Sequence, residues 1–306
     1  MTVRSSRGVS ALAAYFFLLG ATACASGGAR LDLPPVTPEA TGVHHPGQFV
    51  WHDLVTDDVD GAKAFYGALF GWRFDDVRSE AGLYSVVRRN GRAIGGIVAI
   101  DDADANVASA RWLSLMSVDD IDAAVRIVEG AGGEVLAGPR DNPTRGRMVL
   151  VADPQGAQVV LVRSVGGDPP NREEGDIGAG DWLWVELWAR DAAAAADFYG
   201  SLVGYAAERP AVEMPAEYRV FQRDGRPRAG VNELPWEEVL PNWLSYIRVD
   251  DPAAVAAQAE RLGGTVLIPP DPENRDGSVA LLMDPAGAAF AVQKWPVEGA
   301  TPGGAR

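Results

Sequence analysis

Apolar and polar residues alternate from 49 to 55, with aromatic and β-branched side chains among them, which predicts a strand. At 59 the spacing changes. Val59, Ala62, Phe65, Tyr66 and Leu69 recur every three or four residues, so a helix over 59–70 would carry one apolar face. Gly71 follows it, where a helix is commonly ended by glycine. Residues 83–88 and 93–100 read as two more strands, turned by Asn90-Gly91. A second stretch has a similar plan. It predicts a strand at 112–118, a helix at 121–129 stopped by Gly132-Gly133, and strands at 134–136, 148–152 and 157–163. Asp153-Pro154-Gln155-Gly156 turns between the last two.

The pattern then repeats from 182 to 295. Trp51 matches Trp184, and Phe65-Tyr66-Gly67 matches Phe198-Tyr199-Gly200, each pair 133 residues apart. Asp153-Pro154-Gln155-Gly156 matches Asp284-Pro285-Ala286-Gly287 at a spacing of 131 residues. Two copies with so few insertions mean a tandem duplication. The domain boundaries follow as 48–164 and 181–297, with a linker at 165–180 and a tail at 298–306.

The N-terminus departs from this plan. Arg4 and Arg7 precede a nine-residue apolar run, 11–19, too short to span a bilayer. Small residues lead to Cys24, the only cysteine. A basic start, a short apolar run and a small-residue cleavage site predict an export signal over 1–24. Its ending resembles a bacterial lipoprotein signal, with Ala21 where leucine is usual. The resemblance implies lipidation at Cys24 and an envelope location, the outer membrane if there are two, since Ser26 is no acidic retention signal. An ordinary cleaved signal with an incidental cysteine is the alternative. Residues 25–47, rich in small residues and proline, read as a flexible tether.

Paired βαβββ units, the Phe-Tyr-Gly helix, the Gly-Gly strand start and the Asp-Pro-x-Gly hairpin together resemble the vicinal oxygen chelate superfamily. That group includes glyoxalase I, extradiol dioxygenases, fosfomycin-resistance proteins and bleomycin-binding proteins. The resemblance covers about 48–297. It implies an α+β fold of tandem paired βαβββ units, forming two cup-shaped mixed sheets with helices outside and a cavity inside. Metal-binding members place His and Glu on inward strand positions, a donor set suited to divalent transition metals. At the matching positions this chain has Trp51, Leu113 and Val160, then Trp184, Leu244 and Ala291. No metal and no cofactor are therefore expected.

Other candidate chemistry is sparse. The three histidines are His44 and His45, a pair before the first strand, and His52, which should point away from Trp51 by strand alternation. Asp53 and Glu186 each lie two residues past the repeated tryptophan, on its face. Each could be a general base or a structural carboxylate held by backbone groups or arginine. Trp51, Trp184, Trp112, Trp243, Tyr84 and Tyr218 are the candidate ligand-binding aromatics, or simple core. A net charge of −15 excludes a phosphate-binding basic stripe, so no nucleic acid partner is expected. Membrane contact is expected through the lipid anchor alone, and a homodimer is left open.

Four functions compete. The first is an envelope-anchored protein that binds a small molecule in metal-free, aromatic-lined cavities. The second is a metal-independent lyase or isomerase using Asp53 or Glu186 as base. A metal-dependent glyoxalase or dioxygenase and a structural scaffold complete the set.

Overall fold

The computed structural model describes residues 33–79, 82–100, 110–172, 176–210, 217–234, 236, 239–273 and 275–296. The expected signal with Cys24, the start of the tether and the tail lie outside these.

Domain 1 contains β1 (Phe49–Thr56), α1 (Val59–Phe70), β2 (Arg73–Ser79), β3 (Gly82–Arg89) and β4 (Arg92–Ala99), then β5 (Arg111–Ser117), α2 (Ile121–Gly130), β6 (Glu134–Asn142), β7 (Gly146–Ala152) and β8 (Gln158–Ser164). Its sheet has the order β2-β3-β4-β1-β5-β8-β7-β6. Domain 2 contains β9 (Trp182–Ala189), α3 (Ala192–Val203), β10 (Ala206–Glu208), β11 (Arg219–Arg223) and β12 (Arg226–Glu233), then β13 (Asn242–Val249), α4 (Pro252–Arg261), β14 (Thr265–Ile268), β15 (Val279–Met283) and β16 (Ala289–Lys294). Its sheet repeats the order as β10-β11-β12-β9-β13-β16-β15-β14. β1 pairs parallel to β4 and antiparallel to β5, so each sheet joins the two units of one copy. Alternation had missed β2. It is an edge strand with mostly exposed side chains, so it has no buried face to signal.

The helices start where the residues dictate. Asp58, Asp120, Asp191 and Asp251 cap the four N-termini, each accepting from a backbone N–H three residues on, at 2.6–3.0 Å. Each cap contributes about 1 kcal/mol. Gly71 and Gly204 end α1 and α3, both at φ 69°, a left-handed conformation costly for other residues.

The two sheets present their helix-covered faces to each other. Leu54, Phe65, Tyr66 and Trp112 pack with Ile247, Ala256 and Phe290 across the domain boundary. Met116 and Val128 pack likewise with Val185, Phe198 and Phe221. Polar bonds cross this interface reciprocally. Tyr66 donates to Asp284 (3.0 Å) and Tyr199 donates to Asp153 (3.2 Å). Each repeated tyrosine thus reaches the turn aspartate of the opposite copy. Burial raises the pKa of both aspartates above the usual carboxylate range.

From Leu33 onward the segment expected to be a tether instead lies against domain 1. Leu33 is 1% and Val36 6% exposed. Burying two such side chains is worth about 1.5–3 kcal/mol each. Asp168 in the linker anchors the rest of the segment, accepting from Ser117 Oγ (2.5 Å), Ser164 Oγ (2.7 Å) and the His45 backbone N–H (2.7 Å).

Candidate functional site

Trp51 and Asp53 on β1, like Trp184 and Glu186 on β9, are two residues apart and share the concave face. Each carboxylate has a glycine beside it in the sheet: Gly96 is paired with Asp53, and Gly230 with Glu186. A Cβ at Gly96 would stand 1.9 Å from the Tyr84 hydroxyl, and one at Gly230 2.3 Å from that of Tyr218. The glycines leave room for a tyrosine to lie over the sheet and reach the carboxylate.

In cup 1 the carboxylate is sealed. Asp53 Oδ2 accepts from Arg145 Nη1 at 2.9 Å; Oδ1 accepts from Tyr84 (2.7 Å) and Trp51 Nε1 (2.8 Å). Arg145 and Asp53 are both 0% exposed. The guanidinium lies 4.6 Å from the centre of the Trp51 ring and donates through Nε to the Pro34 carbonyl. Thr144 donates to the Leu33 carbonyl. Leu33 and Val36 join Trp51, Tyr84, Leu113 and Met148 in one apolar cluster. The chain's own segment occupies the cup.

In cup 2 the same device stays open on one side. Glu186 accepts from Tyr218 (2.9 Å) and Tyr246 (2.5 Å), and Arg275 pairs with it at 3.0 Å. Burial pushes both phenols well above their ordinary pKa, so they remain protonated donors. Glu186, Tyr218, Trp184 and Arg275 border a cavity of about 940 Å³. It extends past Trp182 and His52 toward domain 1, walled by residues 36–39, Thr41 and the linker prolines Pro169 and Pro170. Among the described residues five arginines line it (Arg92, Arg172, Arg226, Arg228 and Arg275), against three carboxylates (Glu39, Asp176 and Glu186).

His52 points away from Trp51, as alternation requires, and sits in the domain interface. Its Nδ1 is 3.0 Å from Ser114 Oγ and 3.1 Å from Ser245 Oγ, and its ring packs 4.2 Å from Trp182. Burial lowers its pKa from 6.5 to about 3, so it is neutral at ordinary pH. His44 lies 3.3 Å from Ser164 Oγ.

Of the candidate ligand-binding aromatics, Trp184 and Tyr218 reach the open cavity, Tyr84 lies in the sealed cup, and Trp51 only borders the cavity from its buried position. Trp112 and Trp243 do not face either cup, which corrects their expected role. They occupy the opposite face, donating to Tyr66 (2.9 Å) and Tyr199 (2.8 Å) among the interdomain core. Leu113 and Leu244, one residue on, take the inward places, because neighbouring strand residues point to opposite faces.

The inward positions where a metal would be held belong to the cup clusters and carry Trp51, Leu113, Val160, Trp184, Leu244 and Ala291. None is a ligand. Among the described residues no group of three His, Cys, Asp or Glu side chains converges as a metal site. The donor set does not fit the superfamily's metal.

Alternation and repeat comparison passed over Arg145, Arg275, Tyr246 and Arg228. Arg145 stands one residue before Gly146, and Arg275 two residues before the matching Gly277, so aligning the copies does not superpose them. A buried strand carboxylate needing a cation was the one signal available.

Comparison with known proteins agrees with the geometry. Residues 27–161 match the family described as Glyoxalase/Bleomycin resistance protein/Dioxygenase superfamily, and residues 184–293 match a glyoxalase-like domain. The chain is 34% identical over 249 residues to "Putative glyoxylase CFP32" of Mycobacterium tuberculosis, covering 80% of this chain and 93% of that protein. It is 33% identical over 262 residues to anthracycline biosynthesis protein DnrV of Streptomyces peucetius, covering 81% and 93%. Among solved structures, the Mn(II)-bound glyoxalase of Novosphingobium aromaticivorans shares the fold at TM-score 0.55 and 13% identity, over 82% of this chain and 83% of that one.

Proposed function

Since the chain belongs to the glyoxalase/bleomycin resistance protein/dioxygenase superfamily, with one such domain in each half, we propose that it binds a flat, aromatic small molecule against cup 2 without a metal. The observation that carries this reading is the contrast between a cup filled by its own chain and one that opens on a cavity of about 940 Å³. A cavity of that size accommodates a drug-sized ligand, and Trp182 and Trp184 offer planar surfaces for stacking. The name of DnrV, which places that relative in the making of a polycyclic aromatic, supports the same ligand class. The N-terminal pattern ending at Cys24 supports an exported, lipid-anchored protein.

A second reading, a metal-independent lyase or isomerase, is favoured only at Glu186. That carboxylate borders the cavity, whereas Asp53 is enclosed by Arg145, Tyr84 and Trp51.

Thermal-shift and calorimetric titration of the chain beginning after Cys24 with hydroxylated anthraquinones tests the binder. Saturable binding that Trp184→Ala weakens about tenfold is the expected result, about 1.4 kcal/mol of stacking. Turnover that Glu186→Gln abolishes while the protein stays folded would move the assignment to the enzyme. No binding of any planar aromatic would sink the proposal.

A further inference from the structure

We infer that the ligand carries a carboxylate on its aromatic frame and that Arg228 receives it; this inference rests on the binder reading above. The chain has a net charge of −15, yet among the described residues its large cavity carries more arginines than carboxylates. Most of those arginines already have acidic partners. Arg92 and Arg172 share Asp181 at 2.7 and 3.0 Å, and Arg275 holds Glu186. Arg228 differs. Its Nη1 donates only to neutral amides, Gln48 Oε1 (3.3 Å) and Asn171 Oδ1 (2.5 Å). Its Nε is buried with no hydrogen-bond partner, and among the described residues it forms no ion pair.

The amide bonds are fixed rather than incidental. Gln48 donates through Nε2 to the Pro169 carbonyl at 3.0 Å, which turns its oxygen toward the guanidinium. Domain 1 supplies Gln48, the linker Asn171 and domain 2 Arg228, so three parts of the chain converge to hold one cation at the cavity wall. A half-buried guanidinium with no ion-pair partner among the described residues, and only Asp224 acting on it from further off, has lost hydration and gained neutral acceptors in its place. Its planar fork suits a carboxylate, which accepts two parallel bonds. The aromatic frame would then extend along the wall toward Trp182 and Trp184.

The test uses the chain beginning after Cys24 and two matched probes, an anthraquinone monocarboxylate and its monocarboxamide. Binding is read by tryptophan quenching and calorimetry in the wild type, Arg228→Gln and Arg228→Lys. The expected result is about a tenfold preference for the carboxylate in the wild type, since a charge-assisted pair adds that much over a neutral one. Arg228→Gln should erase the preference and leave carboxamide affinity within about twofold, while Arg228→Lys keeps part of it. Equal binding of both probes to the wild type, or a preference that survives Arg228→Gln, overturns the subsite and leaves the aromatic binder standing. Failure of both probes to bind overturns the two readings together.

Discussion

Cup 1 and cup 2 descend from one sequence and keep one device: a strand carboxylate, a tyrosine laid over a glycine, and an arginine from the opposite half of the sheet. They differ in what stands in front of it. Leu33 and Val36 cover the first, and the second faces a cavity. Leu115 in the first copy is replaced by Tyr246 in the second, which adds a donor to Glu186 where the wall is open. The same ion pair therefore serves as cement where it is enclosed and as part of a binding wall where it is not. Both carboxylates are buried, at 0% and 1% exposure, so what stands in front of the pair, not residue type, separates the two roles.

Arginine removal should show the contrast most strongly. Arg145→Ala leaves Asp53 buried and unpaired, and should cost about 3–5 kcal/mol in urea unfolding. Arg275→Ala leaves Glu186 its two tyrosines and access to cavity water, and should cost about 1–2 kcal/mol. Equal losses would break the comparison. The tryptophans should divide the same way, with Trp51→Ala destabilising by about 3–5 kcal/mol and leaving ligand affinity unaltered. Trp184→Ala should lower affinity with a smaller change in Tm.

The interface supplies an effect that shows only in acid. His52 has a folded pKa of about 3 against 6.5 for the free side chain. A neutral buried histidine contributes stability in full above the unfolded value, and that contribution falls as pH drops from about 6.5 toward 3. At pH 5 the loss is about 2 kcal/mol. His52→Gln should flatten this part of the stability–pH curve, and an unchanged slope would show that other groups set it.

Much of the fold was legible because the relevant residues report on themselves. The period-two strands, the helix spacing at 59–70 with Gly71 behind it and the 131–133 residue repeat can all be read from spacing along the chain. The site was legible in part. Asp53 and Glu186 could be placed on the inner face by alternation, and the apolar residues at the metal positions could be read directly. The tryptophans at 112 and 243 could not be placed by type alone, because an indole suits a cup and a domain interface equally, and strand parity decides. The arginines were hidden for another reason. Their partners lie far off in sequence, 92 residues for Arg145 and Asp53 and 89 for Arg275 and Glu186. Segment 33–37 resisted reading because two isolated apolar residues make no periodic signal.

The crossed bonds Tyr66–Asp284 and Tyr199–Asp153 bind the history of the two copies as well as their surfaces. Each turn aspartate closes its own turn through one carboxylate oxygen and offers the other to the tyrosine of its sibling. A gene encoding either half alone would yield a chain with a severed apolar flank and an aspartate awaiting an absent phenol. The pair should therefore melt in one transition, and drift in one copy can be tolerated only as far as the other answers it.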